Sequence, residues 1–106
     1  MYKAILFSNE RLDYNKSDGS AVHANILHFV AAPQTDFERK NRYGFVIHRV
    51  FHPDDDNRVD SFLIKDLAAG TLCLIDTILD RWNNDKLLSI EVLDVVDLSN
   101  LFKGGE

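Results

Sequence analysis

The chain has 106 residues, 45% of them apolar and 10% aromatic, with one cysteine and a net charge of −5. That length suits one domain, residues 1–106, and excludes two domains with separate cores, while the apolar content excludes a disordered chain. A single thiol, Cys73, excludes an internal disulfide, no run approaches the roughly 18 apolar residues of a spanning helix, and Met1–Ser8 is too short an apolar run for a secretory signal, so a cytoplasmic, non-membrane protein is expected.

Lys3–Ser8 is a short apolar run ended by polar residues and predicts a first strand. Asn9–Ser20 is polar, carries turn chemistry at Asp18-Gly19 and reads as a loop. Residues 20–32 fit two patterns: a helix capped by Ser20 with Val22, Ile26, Phe29 and Val30 on one stripe, or a strand around Ile26–Val30. The density of β-formers favours the strand. Residues 42–52 are rich in β-branched and aromatic side chains, stop at Pro53 and three aspartates, and predict a central strand.

After Asp60 the period changes. Phe62, Leu63 and Leu67 suit a short helix capped by Asp60 and stopped by Gly70. Leu72, Ile75, Leu79 and Trp82 then share a helical stripe, which predicts a second helix from Thr71 to Trp82. Leu87–Val96 predicts a last strand, and Asp97–Phe102 a final turn. Together these elements predict an α+β fold, a mainly antiparallel sheet of three to four strands packed against one or two helices.

Catalytic and metal signals are weak. His48 and His52 are four residues apart on a strand, about 13 Å by strand rise, too far to share an ion. Asp54-Asp55-Asp56-Asn57 fails as a calcium loop because Val59 stands where the turn glycine is required and Lys65 where the closing glutamate is required. Cys73 between Leu72 and Leu74 reads as a small buried hydrophobe. No cofactor, metal site or enzymatic activity is expected. A small enzyme or ligand-binding domain would need His48, His52 or Cys73 to converge in a pocket.

The charge is the more informative feature. Residues 1–52 hold seven basic and five acidic side chains, and residues 53–106 hold five basic and twelve acidic. Asp76 and Asp80 would be neighbours on the predicted second helix, where like charges repel. With Asp54, Asp55, Asp56, Asp60 and Asp85 they outline a negative surface, and Trp82 beside them would anchor a partner. The expected function is therefore stoichiometric inhibition: an immunity protein or antitoxin that occludes the active site of a basic nuclease toxin, with no direct contact to nucleic acid. The alternative is a phage-type inhibitor or adaptor whose acidic face mimics a phosphate backbone.

Overall fold

The computed structural model describes residues 1–35, 39–40, 44–79 and 85–96. The first strand does not end at Ser8: β1 is Tyr2–Asn15, and the hairpin to β2, Ala21–Ala31, turns at Gly19. Gly19 has φ 87°, a left-handed conformation that side chains oppose, and its N–H closes the turn on the Lys16 carbonyl at 3.0 Å. The strand reading of residues 20–32 thus holds. β3 is Val46–Pro53, within the clearest predicted run.

A short helix, α1, spans Ser61–Asp66, and Asp60 caps it as expected by accepting from the Phe62 N–H at 2.9 Å. Gly70, at φ 95°, turns the chain out of the segment after α1; its N–H donates to the Leu6 carbonyl at 2.7 Å. β4 is Thr71–Leu79 and β5 is Asp85–Val95.

The predicted second helix from Thr71 to Trp82 is corrected by β4. Thr71, Cys73 and Ile75 alternate with Leu72, Leu74 and Asp76, and the first set is buried while the second is half exposed. Both faces are largely apolar, so the two-residue period was masked, and the Leu72, Ile75 and Leu79 spacing imitated a helical stripe.

The five strands form a closed barrel in the order β1-β2-β3-β5-β4, antiparallel everywhere except at the β3–β5 seam, which is parallel at Val50–Asp85. The α+β expectation is overturned by this closure. Helix α1 sits between β3 and β4, so the connectivity is that of the OB-fold, a five-stranded Greek-key barrel. Leu6, Leu27, Phe29, Val50, Cys73, Ile75 and Leu87 fill the interior, joined by Ile64 from α1. No described helix is long and apolar enough to cross a membrane. The expected turn Asp97–Phe102 lies outside the described residues.

One irregularity in β1 sets its whole register. Leu6 pairs with Phe29 but Ser8 pairs with His28, so Phe7 is an extra residue. The bulge leaves Phe7 exposed on the outer side and reverses the alternation beyond it, which turns Asn9, Arg11 and Asp13 to the same side as Leu27, Asn25 and His23.

Candidate binding surface

Beyond the bulge the inner side of the barrel becomes polar. The Asn9 amide donates to the carbonyls of Ile64 and Leu67 at 2.8 and 2.9 Å, which ties the end of α1 to β1, and it accepts from Asn25 at 2.7 Å. Arg11 grips both oxygens of Asp54 at 2.7 and 2.6 Å, both oxygens of Asp13 at 3.1 and 3.0 Å, and Asn25 Oδ1 at 2.9 Å. Asp13 also meets His23 Nδ1 at 2.7 Å, and Lys65 Nζ lies 3.3 Å from Asp54. Arg11 and then Lys65 hold the Asp54 carboxyl well below the ordinary carboxylate range; Arg11 and then His23 do the same for Asp13.

This network changes the meaning of the carboxylates singled out in the sequence. Asp54 is neutralised by Arg11 and Lys65. Asp56 is bridged by Arg58 at 2.9 Å, which pushes its pKa down, and Asp60 is occupied as the helix cap. Asp76 meets the amino terminus of Met1 at 3.0 Å, and Asp85 lies 3.4 Å from His48 Nδ1. Asp55 is exposed. Asp80 and Trp82 lie outside the described residues. Because Asp76 is on a strand, the helical spacing that was to unite it with Asp80 does not exist, and with it goes the acidic helix face behind the immunity or antitoxin reading.

The candidate catalytic side chains do not converge. Cys73 is fully buried on β4, and burial pushes its thiol up to about 11, away from the reactive thiolate. His48 and His52 both point to the inner side of β3. Neither ring nitrogen of His52 meets a hydrogen-bond partner among the described residues, and burial, the leading cause, lowers its pKa. Among the described residues no group of three or more His, Cys, Asp or Glu side chains could hold a metal.

What the sequence reading missed is the outer wall of β2 and β3. These two strands contain all four histidines of the chain, one arginine, and no carboxylate. Cross-strand pairs place His28 beside Arg49, Val30 beside Ile47, and Ile26 beside Phe51. At the β3–β5 seam, Lys86 Nζ stands 4.4 Å over the Phe51 ring and donates to the Phe51 carbonyl at 3.2 Å. Ile47 on β3 and Phe45 just before that strand are 66% and 72% exposed. The opposite wall, β4 and β5, carries Asp76, Asp85, Glu91 and Asp94 against Lys86. The signal was available as two acid-free runs, the 11 residues of β2 and the 8 of β3, within an acidic chain, but only strand pairing shows that they form one surface.

An apolar groove of about 420 Å³ adjoins this wall; Phe7, Phe45, Val30 and Leu72 are among its lining residues. The row Val30–Ile5–Leu72 crosses three strands beneath it, and among the described residues Lys3 is the one charged side chain that lines it. No family model matches the chain, and neither a curated protein nor a solved structure matches it.

Proposed function

We propose that this domain is a cytoplasmic, non-catalytic binding module that takes single-stranded nucleic acid on the outer wall of β2 and β3. The observation that carries the reading is the polarised barrel: a wall with Arg49 and His28 and no acid on its own two strands, bordered at the seam by Lys86 of β5, in a protein of net charge −5. A polyanion is repelled by most of such a molecule and accepted along one strip. Exposed Phe45 offers a face on which a base stacks irrespective of sequence. OB-fold barrels use the same wall for oligonucleotides, a likeness of fold that supports the site without proving the ligand.

The test is fluorescence anisotropy of a labelled oligothymidylate at low and moderate salt, with wild type and the double variant Arg49→Glu, His28→Glu. Wild type is expected to bind with affinity that falls as salt rises, and the variant to lose about tenfold or more with a shallower salt slope. Absence of salt-sensitive binding by wild type, or undiminished binding by the variant, overturns the reading.

A second reading rests on β5. Glu91 and Asp94 alternate there with exposed Val92, Leu93 and Val95, a strip of apolar anchors among carboxylates that suits a stoichiometric inhibitor of a basic protein. Capture of a basic partner that is lost in Glu91→Lys, Asp94→Lys while oligonucleotide binding is absent would favour it.

A further inference from the structure

We infer that the apolar groove beside the β2–β3 wall is a base pocket that selects thymine over uracil, and thus single-stranded DNA over RNA. This inference rests on the nucleic-acid reading of that wall and adds a specificity to it. The groove is continuous with the wall: Val30 belongs to both, and its partner Ile47 is two residues from Arg49 on the same side of β3. Lys3 and Arg49 are exposed, with no ion pair recorded for either among the described residues, so they leave two cations for phosphates on either side of a base held between them.

The chemistry of the lining decides what enters. The groove has room for a nucleobase, and among the described residues its lining side chains apart from Lys3 are all alanine, valine, leucine, isoleucine or phenylalanine. Among those residues no side-chain amide or hydroxyl reads a base edge, so the discrimination they supply comes from shape and apolar contact. Guanine and cytosine would lose hydrogen bonds to water there without replacement, whereas thymine presents a methyl group that uracil lacks. Phe7 follows inward-facing Leu6 and so faces the outer side, unpaired at the bulge, and with Phe45 it supplies the aromatic surface of the groove.

The experiment compares oligodeoxythymidylate with oligodeoxyuridylate of equal length, so that sugar and phosphate are constant and only the methyl group differs. The expected result for wild type is about fourfold tighter binding of the thymidylate, the worth of one buried methyl group. Ala32→Phe, which fills the groove from an exposed position, is expected to abolish that ratio while keeping salt-sensitive binding through Arg49. Equal binding of the two oligomers by wild type overturns the pocket and leaves the wall intact. Failure of both oligomers to bind overturns the wall and the pocket together. A ratio that persists unchanged in a folded Ala32→Phe protein also overturns the pocket, because the discrimination would then arise elsewhere.

Discussion

The two walls of the barrel differ in charge and in how firmly they are held. On β2 the inner side chains Asn25, Leu27, Phe29 and Ala31 are all buried, and β3 adds Val46, Val50 and His52. On β5 only Leu87 is fully buried, and every residue from Glu91 to Val96 is exposed. The acid-free wall is therefore packed more fully than β5. A preformed surface loses less conformational freedom on binding, which is a second reason to place recognition on β2 and β3.

Several changes would break or sharpen this contrast, and the largest concerns packing. Phe29→Ala on β2 should cost about 3–5 kcal/mol of stability, whereas Val92→Ala on β5 should stay within about 0.5 kcal/mol. Urea unfolding of both variants measures the difference, and similar losses would mean the walls are equally held.

The next contrast is in pH. His52 is buried with a lowered pKa, so the folded protein resists a proton that the unfolded chain accepts from about pH 6.5 downward. Stability is therefore full above that pH and falls below it. His52→Leu should flatten the profile between about pH 7 and 5 and leave the protein at least as stable at pH 7. A second loss is expected below about pH 4 in both proteins, because Asp54, Asp13 and Asp56 are held low by arginines, and protonation removes their pairing. Denaturant midpoints across pH test both windows.

A smaller effect is expected at the helix that joins the walls. Asp60→Ala removes the cap on the Phe62 N–H and should cost about 1 kcal/mol by the same measurement. The smallest belongs to the acidic wall: Glu91→Gln and Asp94→Asn should change stability by no more than about 0.5 kcal/mol and leave thymidylate affinity nearly unaltered. A large gain or loss of affinity would show that the ligand crosses β5.

The sequence revealed strands where β-branched and aromatic residues cluster, as in β3, and it revealed the Asp60 cap because capping is local. It concealed elements whose logic is non-local. The second half of β1 looked like a loop because Asn9, Arg11 and Asp13 are polar, yet they are strand residues whose partners Asn25, Asp54, Ile64 and Leu67 come from elsewhere in the chain. β4 looked helical because a strand with two apolar faces has no visible alternation. The ion pairing of the candidate carboxylates was hidden for a related reason: a count of carboxylates contains no information about which cation each one meets. Asp54 seemed the centre of a negative patch and is instead the anchor of Arg11.

The bulge at Phe7 makes β1 sensitive to length as well as to composition. Add one further residue between Leu6 and Asn9 that the bulge does not absorb, and the strand beyond it would shift phase: Leu12 and Tyr14 would face inward, and Arg11 would swing to solvent, leaving Asp54 with Lys65 alone. Loss of one residue there would only straighten the bulge and keep Arg11 opposite Asn25. A single-codon insertion at this point would thus resemble a frameshift confined to one strand. Variants of this domain should accept many substitutions on the outer side of β1, and even loss of the bulge residue, while rejecting insertions there.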